Sequence, residues 1–110
     1  CSAASNAVFA VRVNGEGANI TGCTLSGVSG FSVIHVDSSW GVRIERNTLL
    51  HGTYGIDGGS QSSLLVVANN FSGQTLNAVG VPSVYPNNIG TMYSSGGEVT
   101  TTNPWVNFFR

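Results

Sequence analysis

The sequence predicts an all-β fold, a parallel β-helix, and three observations carry that prediction. The first is a repeat. Ile20-Thr-Gly-Cys23-Thr-Leu25, Ile44-Glu-Arg-Asn47-Thr-Leu49, Val66-Val-Ala-Asn69-Asn-Phe71 and Val84-Tyr-Pro-Asn87-Asn-Ile89 all read apolar, two variable, Asn or Cys, one polar, apolar. Their fourth positions are Cys23, Asn47, Asn69 and Asn87, a spacing that shortens from 24 to 22 to 18 residues, and Cys1 continues the series backwards. A period in the low twenties marks a stacked array, in which each repeat buries its apolar face only against its neighbours. The second observation is that a β-rich segment precedes each motif. The third is that no window of eleven residues carries a 3.6-residue apolar period, while 15 glycines disfavour helix.

The elements follow in order. Val8–Val13, Phe31–Val36, Tyr54–Ile56 and Ala78–Val81 are strands, and the alternation of Phe9, Val11 and Val13, or of Ile34 and Val36, marks them as half-buried. Asn14-Gly-Glu-Gly17, Ser38-Ser-Trp-Gly41 and Gly58-Gly-Ser-Gln-Ser-Ser63 have turn composition and separate each strand from its motif. A second turn follows each motif at Ser26-Gly27, His51-Gly52 and Ser72-Gly73. Strand, turn, strand, polar corner, short strand and turn together fill about 22 residues, the observed period.

Stacking assigns the motif residues physical tasks. Each residue lies beside its equivalent one repeat away, at the ~4.8 Å strand spacing. Asn47, Asn69 and Asn87 are therefore expected to form an internal ladder at a turn, with Cys1 and Cys23 replacing Asn in the same stack. Each side-chain amide can donate to one neighbour and accept from the other, satisfying backbone groups that a regular sheet cannot serve at a corner. Leu25, Leu49, Phe71 and Ile89 form the apolar stack two positions later, and Ile20, Ile44, Val66 and Val84 the stack before it.

This pattern resembles the right-handed parallel β-helix of pectate-lyase-like proteins, a superfamily that includes bacteriophage tailspikes and capsule depolymerases. The resemblance covers roughly residues 1–90, through the pattern Val-x-Ile-x-x-Asn-Asn/Thr-Phe/Leu-x-Gly, and is specific for the fold but not for a reaction. It implies right-handedness and a homotrimer whose chains wrap together after the coils end. Four to five coils are expected over residues 1–90, with 91–110 as a C-terminal cap or trimerisation segment. Met92–Arg110 breaks the period. Its Trp105, Phe108 and Phe109 are too apolar for a free tail and should pack on the last coil or against neighbouring subunits. Because Cys1 already stands at the ladder position with no capping helix before it, the chain reads as a fragment of a longer β-helical protein.

Composition limits the functions available. Charged residues are 8% of the chain, against about 25% in ordinary globular domains. Four arginines and five acids leave a net charge of −1, so no electrostatic footprint for nucleic acid or anionic membrane exists. Apolar runs fall far short of the ~20 residues of a membrane helix. No signal-peptide pattern is read, as would also hold for a mature secreted chain. In-register Cys1 and Cys23 could lie near the ~5.5 Å that a disulfide needs, but two reduced thiols filling a ladder position are the favoured reading. Cys1 also matches the first residue of a mature bacterial lipoprotein, a reading disfavoured by its immediate entry into the repeat. His35 and His51 lack metal-ligand spacing and no Asp cluster suggests calcium, so no metal or other cofactor is expected.

Candidate chemistry lies on the outer face of the strands. Registering Val11 on Ile34 and Ile56 stacks Arg12, His35 and Asp57, with Asp37 two residues further along. Asp37 and Asp57 are then diagonal neighbours with backbones ~8 Å apart, within the roughly 6.5–9.5 Å carboxylate spacing of inverting glycosidases. Trp40, in the following turn, could stack on a sugar ring. The competing reading is a salt-linked Arg12–His35–Asp57 ladder that stabilises stacking without chemistry, and it is favoured. Arg43, Glu45 and Arg46 lie on another face and read as surface charges. The absence of Lys excludes a lyase with a Lys base from this piece, leaving Arg as the conceivable one. The glycosylation patterns Asn19-Ile-Thr21 and Asn70-Phe-Ser72 are ones the repeat generates by chance. Gly15-Glu-Gly17 is a turn with no helix after it to bind phosphate, and Thr100-Thr-Thr102 lies outside the repeat, unlike an ice-binding array.

The expectation is thus a segment of a trimeric tailspike-like protein or surface adhesin, on a virion tail or cell surface, that binds bacterial surface polysaccharide. The alternatives are a glycan depolymerase using Asp37 and Asp57, and a purely structural stalk or cap.

Overall fold

A computed structural model describes residues 2–4, 9–37, 39–58, 64–74, 77–80, 88–89, 92–94 and 105–109. These residues are all-β, with no helix among them. In chain order the strands are β1 Ser2–Ala4, β2 Val11–Val13, β3 Asn19–Thr21, β4 Thr24–Ser26, β5 Ser32–Val36, β6 Val42–Glu45 and β7 Thr48–Leu50. They continue with β8 Tyr54–Asp57, β9 Leu64–Val67, β10 Asn70–Ser72, β11 Asn77–Gly80, β12 Asn88–Ile89, β13 Met92–Ser94 and β14 Asn107–Phe109.

The strands form three sheets, ordered β1-β4-β7-β10-β14-β13 (sheet A), β11-β8-β5-β2 (sheet B) and β12-β9-β6-β3 (sheet C). Their pairings are parallel, as in β2 with β5, β6 with β9 and β4 with β7. From β2 to β10 the chain visits sheets B, C and A in turn, and each strand pairs with the next one to reach its sheet. That arrangement is compatible with a parallel β-solenoid.

Register stacks like on like. Val11 lies beside Ile34 and Ile34 beside Ile56; Ile20 beside Ile44 and Ile44 beside Val66; Leu25 beside Leu49 and Leu49 beside Phe71. Ile34, Ile44, Ile56, Leu49, Val66 and Phe71 are wholly buried, each such side chain contributing about 1.5–3 kcal/mol by leaving water. This core lies between the sheets and leaves residues such as Arg12, Asn19 and Arg43 facing out.

Two corners shape the path. Between sheets C and A the turn is a single left-handed residue, Gly22, Arg46 or Ala68, at φ 68°, 56° and 57°. Such a backbone costs a non-glycine residue roughly 1–2 kcal/mol, so Arg46 and Ala68 need their neighbours to hold them there. Between sheets A and B the chain approaches side chains too closely for a Cβ. One built on Gly27 would lie 2.8 Å from Val33 Cγ2, and one on Gly52 3.0 Å from the Phe31 carbonyl oxygen.

Two expectations need correction. Ile89 does not stack on Phe71: it pairs with Val66, and Phe109 lies beside Phe71. The reason is length. Ile89 follows Val66 by one full circuit at the prevailing step, whereas Asn87 follows Asn69 too soon to complete one. Cys23 is not a reduced thiol but is disulfide-bonded, and the chain's other cysteine is Cys1. The last segment joins sheet A beside β10. β14 inserts between β10 and β13, pairing Asn70 with Phe108 and Tyr93 with Phe108 on its two sides. Cys1, Val84 and Asn87 lie outside the described residues.

Candidate functional site

The most regular polar feature is the corner ladder. Asn47 Oδ1 accepts from the Cys23 N–H at 3.0 Å, Asn69 Oδ1 from the Asn47 N–H at 3.0 Å, and Asn107 Oδ1 from the Asn69 N–H at 3.0 Å. In return Asn47 Nδ2 donates to the Ile20 carbonyl, Asn69 Nδ2 to Ile44 and Asn107 Nδ2 to Val66, at 2.9, 2.9 and 3.0 Å. The amides also chain together, Asn47 Nδ2 to Asn69 Oδ1 and Asn69 Nδ2 to Asn107 Oδ1, both at 3.1 Å. Asn69 thus uses both donors and both lone pairs, the full capacity of an amide. All three are buried. The ladder pins the left-handed corner residues and is structural.

Asn107 takes the rung that sequence reasoning gave to Asn87. A signal existed, since Asn107-Phe108-Phe109 repeats the polar-x-apolar ending of Asn69-Asn70-Phe71. It was masked because Asn107 follows Asn69 at well over one period. Cys23 has no amide to extend the ladder past itself.

The second feature lies on the outer face of sheet B. Register places Arg12 beside His35 and His35 beside Asp57. Asp37 follows β5, its N–H donating to the Val13 carbonyl at 2.8 Å. Arg12 Nε donates to Asp37 Oδ2 at 2.5 Å, and His35 Nε2 lies 2.8 Å from Asp37 Oδ1. A carboxylate only accepts, so Nε2 carries the proton. His35 Nδ1 lies 3.4 Å from Asp57 Oδ2 without hydrogen-bond alignment. The imidazole therefore stands between the two acids, and one nitrogen is engaged while the other is buried and poorly served. Phe9 stacks on the ring at 4.4 Å with planes 8° apart, and Phe31 meets Phe9 edge-on at 5.9 Å. The hydrogen bond from Arg12 holds the Asp37 carboxyl below its ordinary value of 3.8; burial opposes this, while the bond from His35 and the nearby charge of Arg12 reinforce it.

Of the five residues singled out on this face, the structure brings together Arg12, His35, Asp37 and Asp57. Trp40 is exposed on the neighbouring corner, where its carbonyl accepts from the Gly17 N–H at 2.9 Å. Ser39, which the sequence did not mark, is buried and fixes that corner: its hydroxyl accepts from the Gly15 N–H at 3.1 Å and donates to the Asp37 carbonyl at 2.7 Å. Phe9 was read as a strand residue only, and its stack on His35 had no signal in the spacing. No group of three or more potential metal ligands occurs among the described residues. No helix there is long and apolar enough to cross a membrane.

Comparison with known protein families, with curated proteins and with solved structures finds no match. Fold and site together define an all-parallel three-sheet β protein with an internal amide ladder and a solvent-facing network of charged and aromatic side chains.

Proposed function

We propose that the chain is part of a right-handed parallel β-helix of four to five coils, in a trimeric tailspike-like protein or surface adhesin that binds bacterial surface polysaccharide. The observation that carries this reading is the outer face of sheet B. In a chain with 8% charged residues, that face gathers a cation, an imidazole and two acids, with Phe31 and Trp40 both exposed nearby. Uncharged sugars are held by aromatic faces and by a few placed hydrogen-bonding groups, so a low net charge suits such a ligand. A disulfide at Cys23 fits an extracellular or virion setting, where thiols stay oxidised.

Binding is favoured over cleavage because the Asp37 carboxylate is already engaged by Arg12 and His35, cross-row contacts that stabilise stacking without any chemistry. The depolymerase alternative rests on the position of His35 between both carboxylates, with Asp37 as base and Asp57 as acid. A panel of capsular polysaccharides, assayed for binding and for release of reducing ends, separates the two readings. Binding without release, weakened by His35→Ala and Trp40→Ala, is the expected result. Release abolished by Asp37→Asn and Asp57→Asn with the fold intact would establish the enzyme instead. The trimer is tested by light scattering: a monodisperse monomer with the tail intact refutes it, and loss of the trimer on deleting residues 104–110 supports it.

A further inference from the structure

Sheet C turns its own outer face to solvent, with Asn19, Arg43 and Leu65 in one row and Thr21, Glu45 and Val67 in the next. Trp105 extends the second row. The Ala68 N–H bonds the Trp105 carbonyl at 3.3 Å just as the Arg46 N–H bonds the Val67 carbonyl at 3.4 Å, so Trp105 follows Val67 as Val67 follows Glu45. Two cavities open on this face. One, of about 490 Å³, is lined by Arg43, Glu45, Arg46, Leu65, Val67 and Trp105. The other, of about 420 Å³, continues from Arg43 and Leu65 toward Asn19, Gly17 and Gly41. Because Arg43 and Leu65 line both, they form one groove running along the strands.

We infer that this groove binds an anionic saccharide, with a sugar ring on Trp105 and its acid group between Arg43 and Arg46. The charge is locally reversed: two of the chain's four basic residues line one cavity with a single acid. Arg43 reaches Glu45 only at 4.0 Å, which engages little of a five-donor guanidinium. Among the described residues the Arg46 guanidinium has no ion-pair partner. A guanidinium fork matches a carboxylate or phosphate through two parallel hydrogen bonds. Trp105, 52% exposed, brings an indole to the groove beside Leu65 and Val67. Asn19 and Glu45 provide the donor and acceptors that sugar hydroxyls require. The size lies within the range of small-ligand clefts, whereas a protein partner needs a broader and flatter area. The site shares no residue with sheet B, so either reading can fail alone.

The test is calorimetry and tryptophan fluorescence with three probes: a tetrasaccharide containing glucuronic acid, the same tetrasaccharide methyl-esterified, and a phosphorylated tetrasaccharide. At least one acidic probe should bind, and the tighter of the two identifies the acid group recognised. The ester should bind roughly tenfold or more weakly, the loss expected on removing a charge-assisted hydrogen bond. Arg46→Gln and Trp105→Ala should each weaken the acidic probe by a similar factor, while Asn70→Ser, exposed on sheet A, leaves it unchanged. Arg46 is exposed, so its variant should melt with the parent and keep the test valid if Trp105→Ala disturbs folding. Equal binding of the ester, unchanged affinity in Arg46→Gln, or no binding of either acidic probe at millimolar concentration overturns the inference. So does a self-association that Trp105→Ala abolishes with sugar affinity intact, which would make the groove a contact between copies of the chain.

Discussion

Replacing Asn69 by leucine should be among the most damaging single changes available in this chain, although it is nearly isosteric. The Asn69 amide serves four groups, and their losses are unequal. Asn107 Oδ1 would still accept from the Asn69 N–H, and Asn47 Nδ2 would still donate to the Ile20 carbonyl. The Asn47 N–H and the Ile44 carbonyl would lose the partners they have in Asn69. Both residues are buried, at 1% and 0% exposure, so water cannot replace the amide. An unsatisfied buried polar group costs about 1–3 kcal/mol, so the two together cost about 2–6 kcal/mol. A domain of this size has on the order of 5–15 kcal/mol of stability, which makes the loss a large fraction of the whole. Urea unfolding followed by circular dichroism measures it as a lower midpoint at unchanged slope. Asn70→Ser, at the adjacent exposed position, is the control and should stay within about 0.5 kcal/mol of the parent. If Asn69→Leu also stays within that margin, the ladder does not hold the corner and the structural argument fails.

Two further outcomes follow from other bonds. Reduction of the Cys23 disulfide, or Cys23→Ser, should lower stability by roughly 3 kcal/mol if Cys1 is the partner, since the bridge then closes a loop of about 22 residues. The Cys23 N–H keeps its bond to Asn47 in either case, so an unchanged melting temperature under reductant would show that the bridge constrains nothing. The depressed Asp37 carboxyl contributes stability that is present above the ordinary carboxylate range and is lost as pH falls through its lowered folded value. Arg12→Gln should raise the Asp37 titration midpoint followed by NMR of the side-chain carboxyl, and an unmoved midpoint would show that Arg12 is not the cause.

The repeat was legible because stacking demands it. A residue with an equivalent above and below must suit its own copies, and so Ile20, Ile44 and Val66, or Asn47 and Asn69, announce themselves in one dimension. The same reasoning placed Arg12, His35 and Asp57 in one row, since register alone makes them neighbours. It failed where the chain left the period. Ile89 belongs to the third sheet and Asn107 to the ladder because sheet membership follows from the length of the path around the core, and the segment between β10 and β14 has a different length from the earlier circuits. It also could not supply side-chain direction. That Arg12 grips Asp37 rather than Asp57, that Phe9 stacks on His35, and that Trp105 closes a groove with Arg43 and Arg46 depend on how outward side chains lean across a corner or a row. The sequence by itself determined which residues repeat, and hence the all-β parallel architecture and its buried stacks. Only the tertiary structure decided which outer residues meet, because backbone register is set by the repeating core while surface contacts are set by reach and angle.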